Sequence, residues 1–135
     1  MAFIIIDLEF NNLSGIHKCI PNVYTDNPNL KNLELDNEII EIGAVKLDSH
    51  MQPCEELKVY IKPSVIPIIN PKILDITKIN IKDLENGVGF IKGLNKLKDM
   101  GLDVVIPKGA FYVFPSIKKF NIPSEEFALR LLYEE

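Results

Sequence analysis

Tryptophan, long apolar runs and clustered cysteine or histidine are all missing from this 135-residue chain. No stretch approaches the roughly 20 apolar residues that a membrane-spanning helix needs. Cys19 and Cys54 are far apart in sequence, so we expect two free thiols in a reducing compartment. His17 and His50 stand alone and are expected at the surface, and no Cys/His spacing predicts zinc. These absences argue against a membrane span, a disulfide framework and a zinc module.

An excess of basic charge is missing as well. Fifteen lysines and arginines face 19 aspartates and glutamates, and the net charge is −4. General attraction to nucleic acid is therefore excluded, but a metal-dependent nuclease is not, because bound cations reverse the local field. The apolar segment near the N-terminus carries acids and follows no basic region, so it does not resemble a secretion signal. We expect a cytoplasmic protein.

Two acidic residues interrupt the most apolar stretch near the start of the chain, residues 3–10. This stretch predicts a buried β-strand, in which Asp7 and Glu9 point to the same face with Cα atoms about 6.5–7 Å apart. Buried carboxylates repel each other and lose hydration unless a cation or hydrogen-bond donors satisfy them. The pattern therefore indicates a site for hard divalent ions. The alternative is an edge strand with one face in water, where both acids are solvated.

Turn residues and apolar periods divide the rest of the chain. Residues 11–37 are polar and rich in asparagine, which predicts a long loop. Consecutive strands with a short link predict an antiparallel meander. The predicted elements are strands at 38–48 and 55–62, a short helix at 71–78, a loop at 83–89, an amphipathic helix at 90–100, a hairpin over 102–106 and 109–114, and a final helix from Ser124.

The first part of the chain resembles a known nuclease superfamily. The words Ile6-Asp7-Leu8-Glu9-Phe10, 39–45 (Ile-Ile-Glu-Ile-Gly-Ala-Val), Ile61-Lys62-Pro63 and 76–80 resemble the DEDD 3′–5′ exonucleases, an RNase H-like group. The resemblance covers about residues 1–89. It implies an α+β fold with a truncated RNase H-like antiparallel three-stranded sheet.

The same resemblance implies chemistry. In that family four acids bind two magnesium or manganese ions, and Asp7 and Glu9 match the first acidic motif, so catalytic and metal-binding roles are implied for both. The implied partners are single-stranded nucleic-acid 3′ ends. The second acidic motif and the final His-x4-Asp or Tyr-x3-Asp motif are absent from the sequence. Asp103 is a candidate replacement acid, and Glu41 matches the second strand without being carried over as a ligand.

The second part resembles a different family. Residues 90–135, with the specific word Pro107-Lys108-Gly109-Ala110-Phe111-Tyr112, resemble the small C-terminal domain of class I pyridoxal-phosphate aminotransferases. The segments that hold the cofactor lysine, the phosphate cradle and the substrate-binding arginine in that family are absent here. We therefore expect no pyridoxal phosphate and no aminotransferase activity. Lys92, Lys96 and Lys108 are expected at the surface.

These observations predict a hybrid that folds as one compact unit. Residues 1–89 are a partial exonuclease-like segment, and residues 90–135 are an aminotransferase-like helix–β-hairpin–helix tail packed on the sheet. The predicted function is that of a chimeric or rearranged protein, inactive or very weakly active, with two of the four metal-binding acids. The alternatives are a working metal-dependent 3′–5′ exonuclease acting on DNA or RNA ends, and a pyridoxal-phosphate enzyme fragment. A homodimer is expected through a sheet edge or exposed apolar surface.

Overall fold

The structure is a computed structural model that describes residues 3–102, 118 and 121–127. Three strands and four α-helices form its framework, together with 3-10 helices at Ile16–Lys18 and Pro28–Asn32. The strands are β1 (Phe3–Asn12), β2 (Asn37–Leu47) and β3 (Pro53–Tyr60), and the helices are α1 (Val23–Asp26), α2 (Pro71–Thr77), α3 (Ile81–Glu85) and α4 (Phe90–Asp99). Among the described residues, no helix is both long and apolar enough to cross a bilayer.

The three strands form one antiparallel sheet in the order β1-β2-β3. The predicted three-stranded sheet is therefore confirmed, with strand ends within two residues of the expected positions. The register slips between Glu9 and Phe10 on β1 and again between Lys46 and Leu47 on β2. Each irregularity locally increases strand twist. The first one follows directly after the second acid of the Asp7–Glu9 pair.

Helix α4 covers one face of the sheet. Its buried Leu94 and Leu97 pack with Ile42 of β2 and Val59 of β3 in the main core. Gly93 permits this contact, because a Cβ at that position would overlap the Ile61 side chain. The predicted amphipathic helix is confirmed, and the 90–102 segment shares one core with the sheet.

The end of α4 is joined to the sheet by a polar contact. The ammonium of Lys46 on β2 donates a hydrogen bond to the carbonyl of Met100 at 2.7 Å. Gly101 follows with φ +99°, a left-handed conformation in which glycine carries no steric penalty. The helix thus ends just before Gly101, in agreement with the helix predicted over 90–100.

Residues 13–36 are more ordered than predicted. The expectation of one long loop is wrong, since this segment contains α1 and both 3-10 helices. Leu13, Ile16, Val23 and Leu30 form a second apolar cluster that includes Ile66 from the segment between β3 and α2. Each helical turn is too short to produce a periodic pattern, so the sequence alone did not reveal them.

Helices α2 and α3 follow β3. Helix α2 confirms the helix predicted over 71–78, with Pro71 at its first position and the Asn70 side chain accepting a hydrogen bond from Lys72 N at 3.1 Å. Helix α3 overlaps the start of the predicted 83–89 loop, and that prediction is wrong there. Asn80 begins α3 by accepting a hydrogen bond from Lys82 N at 2.9 Å. With five residues, α3 is too short to be seen as a period.

Most of the predicted C-terminal hairpin lies outside the described residues, as do Asp103 and Lys108. Leu102, at its predicted start, is buried in the main core. Residues 124–127 are helical, where the final helix was predicted to begin.

Candidate active site

The face of the sheet opposite α4 carries polar side chains from all three strands. Directly paired residues on antiparallel strands point to the same side. Asp7 pairs with Gly43, which pairs with Lys58, and this row defines the face. We call it the acidic face, and its side chains are Ile5, Asp7 and Glu9 from β1, Glu41, Gly43 and Val45 from β2, and Glu56, Lys58 and Tyr60 from β3.

Asp7 and Glu9 lie on the same face, as predicted, but the expectation that both are buried is wrong. Asp7 is exposed and Glu9 is half-buried. The reason is that the alternate residues of β1, Ile4, Ile6 and Leu8, point toward α4 and fill the apolar side. Strand β1 is at the edge of the described sheet and its two acids face water, which is the alternative that the sequence left open, and there they avoid most of the desolvation cost of a buried pair. A ligand can reach them without opening the core.

Lys58 is the cation of the acidic face. Its ammonium lies 3.4 Å from a carboxylate oxygen of Glu41 and 5.3 Å from the centre of the Tyr60 ring. The hydrogen bond with Tyr60, followed by the negative charge of Glu41, raises the pKa of the Lys58 ammonium. The Lys58 side chain is 62% exposed and that of Glu41 14%. Lys58 thus stays charged and accessible while its tip is held over the sheet.

A bare backbone position separates Asp7 from Lys58. Gly43 lies between them, and the surface there is a shallow concavity lined by these residues with Ile5, Glu41 and Leu57. A Cβ on Gly43 would lie 3.7 Å from the Asp7 carbonyl oxygen and 3.9 Å from the Asp7 Cβ, which are ordinary contact distances. Packing does not demand glycine here, so its effect is to leave the centre of the acidic face empty.

The donor set suits a hard, hydrated cation. Asp7 and Glu9 offer carboxylate oxygens, the ligands that magnesium and manganese prefer. Magnesium keeps several waters and is commonly held by one or two carboxylates together with substrate phosphate. Within the part of the chain that the structure describes, no group of three or more His, Cys, Asp or Glu side chains is placed to hold a metal. Asp7 and Glu9 therefore fit a weakly held ion, not a closed metal cage.

Sequence reasoning missed Glu38, the first acid of β2. Its side chain is buried, and one carboxylate oxygen accepts hydrogen bonds from Ser64 N at 2.6 Å and Val65 N at 2.9 Å. The other oxygen accepts from Ile66 N at 2.8 Å. Glu38 thus connects the turn after β3 to the sheet through hydrogen bonds, which is a structural role. The proline-bounded turn after β3 was visible in the sequence, but its distant carboxylate partner was not.

Asn11 was also missed, within a run of asparagines predicted to form turns. It is fully buried, its Oδ1 accepts from Asn70 N at 2.9 Å, and its Nδ2 donates to the Ile68 carbonyl at 2.9 Å. Asn70 in turn donates to the Asn12 carbonyl at 3.0 Å. These bonds attach the end of β1, two residues beyond Glu9, to the start of α2.

The other residues considered from the sequence lie away from the acidic face. Cys19 and Cys54 are free and exposed. His17 and His50 are exposed, on a 3-10 helix and in the turn between β2 and β3. Lys92 and Lys96 are exposed on α4, as predicted. None of these side chains belongs to the rows that define the acidic face.

A comparison with known families gives a match over most of this chain. The sequence profile of the RNase_T family, described as exonuclease, matches residues 4–118. This match continues past residue 89, where the exonuclease-like segment was predicted to end, and that boundary stays a prediction.

Solved structures show the same fold. A full-length 3′-exonuclease superimposes with a TM-score of 0.55 and 23% identity over 73% of this chain and 28% of its own. The nuclease domain of 3′hExo, a DEDDh family member bound to rAMP, gives 0.55 and 22% over 73% of this chain and 42% of its own. The predicted α+β fold of truncated RNase H-like type is confirmed. The chain spans less than half of each of these structures.

A short stretch is similar to aminotransferases. The chain is 58% identical over 38 residues to a probable N-acetyl-LL-diaminopimelate aminotransferase of Bacillus subtilis (strain 168), and 51% identical over 39 residues to an aspartate aminotransferase of Pyrococcus abyssi (strain GE5 / Orsay). These stretches are 28% and 29% of this chain and 10% of either relative. They support the predicted hybrid character, and the chain spans about a tenth of the length of these relatives.

Proposed function

Because this chain belongs to the exonuclease family of RNase_T type, we propose that it is a partial, metal-dependent 3′–5′ exonuclease domain in which Asp7 and Glu9 are the metal-binding and catalytic residues. The observation that carries the proposal is the placement of both carboxylates on one accessible face of the sheet. The short aminotransferase-like stretch adds no expected chemistry, and pyridoxal phosphate is not among the proposed cofactors.

The roles of Asp7 and Glu9 follow from their position. The pleat of β1 holds both carboxylates on one side of a paired strand, so their spacing is set by backbone and not by flexible loops. A bound Mg²⁺ or Mn²⁺ supplies activation of water and neutralisation of charge on the phosphodiester. Asp7, more exposed than Glu9, is open to a ligand arriving from solvent.

Turnover is proposed to be absent or very weak. The acidic face includes no histidine to take a proton from the attacking water, and its remaining carboxylates are Glu41, paired to Lys58, and Glu56. General-base assistance contributes typically ~10²–10⁴-fold to such reactions. A site lacking it, with weak metal affinity, falls far below a complete one.

The proposal is tested with a phosphodiesterase assay on a single-stranded oligonucleotide. We expect slow release of nucleotides from the 3′ end at high protein concentration, with Mn²⁺ or Mg²⁺ required. Asp7→Asn keeps the size of the side chain, removes a metal-binding charge, and should lower this rate at least tenfold. Asp75→Asn on α2 is the matched control, because Asp75 is an exposed aspartate away from the acidic face.

Two results would separate the alternatives. Turnover like that of an ordinary nuclease, at about 1 s⁻¹ or more, would favour the working exonuclease acting on DNA or RNA ends. Metal binding absent from both the parent chain and Asp7→Asn would favour a folded, inert hybrid, for which the lack of a larger metal-ligating group among the described residues is the supporting observation.

The remaining proposals concern partners and location. The solved relatives include a 3′-exonuclease with the 3′ end of a histone mRNA stem-loop, which supports nucleic-acid 3′ ends as the partner class for this chain. We propose a cytoplasmic protein. A homodimer is proposed from exposed apolar side chains, among them Ile5 at 54% and Ile76 at 64% exposure, and analytical ultracentrifugation measures it directly.

A further inference from the structure

We propose that Lys58 is a phosphate-binding residue of the acidic face, and that Gly43 keeps the space between Lys58 and Asp7 open for that phosphate. The inference rests on the proposed function, because it gives the phosphodiester a place beside the Asp7–Glu9 pair. It adds a substrate contact contributed by β3, a strand that carries none of the proposed metal ligands.

The sheet register sets the distance between Asp7 and Lys58. Asp7, Gly43 and Lys58 are directly paired neighbours across three strands, so the Cα atoms of Asp7 and Lys58 are two strand spacings apart, about 9.6 Å. The residue between them has no side chain. That gap is wide enough to seat a phosphate group between the carboxylate and the ammonium.

The contacts of Lys58 position its ammonium on the acidic face. Glu41 at 3.4 Å and the Tyr60 ring at 5.3 Å both draw the ammonium onto the acidic face. An ammonium has three donors, and a Lys58 side chain that is 62% exposed has room to give one of them to a phosphate oxygen. An exposed ion pair is worth little by itself, at ~0–1 kcal/mol, so Glu41 positions Lys58 without holding it permanently.

The charge balance of the face decides the order of binding. The carboxylates of Asp7, Glu9, Glu41 and Glu56 share this face of the described sheet with one ammonium, that of Lys58. A phosphate approaching it alone meets repulsion, since acids outnumber the cation. Phosphate binding is therefore cation-dependent.

Substitution of Gly43 gives a second, independent test of the inference. A Cβ there makes only ordinary contacts, so the strand accepts a methyl group at this position without distortion. A β-branched residue also favours strand structure. Gly43→Val is thus expected to preserve or raise stability while filling the centre of the acidic face.

The experiment measures two affinities on the full chain. Mn²⁺ alone is titrated first by water-proton relaxation, and a nucleoside 5′-monophosphate is then titrated by calorimetry with and without saturating Mn²⁺. We expect the nucleotide to bind only with Mn²⁺. Lys58→Ala should weaken the nucleotide about tenfold, as for loss of a charge-assisted hydrogen bond. The same variant should bind Mn²⁺ equally well or more tightly, because a positive charge is removed.

Control variants exclude a merely structural effect. Lys58→Arg retains the charge and should keep nucleotide affinity within about threefold of the parent chain. Lys72→Ala removes an equal charge from exposed α2 and should change neither affinity. Gly43→Val should weaken the nucleotide while thermal unfolding by circular dichroism stays at or above the parent midpoint.

The outcomes distinguish the two proposals. Mn²⁺ binding that depends on Asp7, with nucleotide affinity unchanged in both Lys58→Ala and Gly43→Val, overturns this inference and leaves the proposed function standing. Mn²⁺ binding that is absent, or unaffected by Asp7→Asn, overturns both. Nucleotide binding that is equally strong in EDTA also overturns the inference, since the charge balance then fails to set the order.

Discussion

Some side chains described above face water and are proposed to bind ligands, and others are buried and hold the backbone. Asp7, Glu9 and Lys58 belong to the first kind, and Glu38 and Asn11 to the second. Buried polar groups are retained when their hydrogen bonds are complete, and no buried side-chain nitrogen or oxygen in the described part of the chain lacks a partner. Removing one such group leaves its partners unpaired, which costs more than the bond itself.

Glu38→Ala should therefore be strongly destabilising. The substitution leaves the buried Ile66 N–H without its acceptor and removes the acceptor for the Ser64 and Val65 N–H groups. We expect a loss of about 2–4 kcal/mol in the free energy of unfolding, measured by urea denaturation. Glu56→Ala, at an exposed position of β3, is the control and should change stability by under ~0.5 kcal/mol. Equal effects of the two variants would contradict the role assigned to Glu38.

Asn11→Ala tests the attachment of β1 to α2. The change removes a buried acceptor for Asn70 N and a donor to the partly buried Ile68 carbonyl. A loss of about 1–3 kcal/mol is expected in urea denaturation, with Mn²⁺ affinity lowered as well because the strand end beyond Glu9 loosens. Asn29→Ala, at an exposed asparagine, should change neither quantity.

Among the secondary-structure elements, the sheet has one apolar face and one charged face, and α4 covers the apolar one. Helix α4 lies on the side of Ile42 and Val59, and Asp7, Glu9, Glu41 and Glu56 are left on the other. Alternation along β1 made this division predictable, but the sequence did not say which side would be covered. The burial expected for Asp7 and Glu9 was wrong for that reason.

The close approach of α4 gives a prediction that runs against helix propensity. Gly→Ala inside a helix ordinarily stabilises by about 0.5–1 kcal/mol. At Gly93 the added methyl overlaps Ile61 and comes within 3.3 Å of Ile42, so Gly93→Ala should instead destabilise by about 1–3 kcal/mol.

Thermal unfolding measured by circular dichroism checks this expectation. Gly43→Ala is the matched comparison, because its new methyl meets only ordinary contacts, and it should be neutral or stabilising. A stabilising effect of Gly93→Ala would mean that α4 does not pack against β2 and β3 as closely as described.

For the whole molecule, the main question is how the exonuclease-like and aminotransferase-like portions share one fold. Leu94, Leu97, Met100 and Leu102 lie beyond residue 89, and they are buried in the same core as Ile42 and Val59. The predicted boundary therefore cuts through a core and not between two cores. A partial exonuclease sheet alone would expose its apolar face to water.

A chain ending at residue 89 should consequently fail to fold. Without α4, the apolar face of the sheet loses its cover, and small domains have little stability to spare. We expect a poorly dispersed ¹⁵N–¹H NMR spectrum and no cooperative urea transition, whereas the full chain should show both dispersion and cooperativity. Cooperative unfolding of the 1–89 fragment would show instead that the tail is dispensable.

Much of the fold could be predicted from sequence because it depends on local patterns. Alternating and apolar runs predicted the three strands, an apolar stripe before Gly101 predicted α4, and Pro71 predicted α2. Short turns could not be predicted, since Ile16–Lys18 and Ile81–Glu85 are each shorter than two helical periods. Glu38 and Asn11 escaped notice because their partners are 26 to 59 residues away.

The sequence by itself determined that Asp7 and Glu9 share one side of a strand, because side-chain direction alternates with every residue of extended backbone. The short link between the second and third strands predicted their antiparallel pairing, and the RNase H-like arrangement was what the family resemblance implied. Only the tertiary structure decided that both acids face solvent, that Lys58 lies across Gly43 from Asp7, and that residues 90–102 complete the core. Those facts depend on which strands become neighbours and which face a helix covers, and long-range packing sets both.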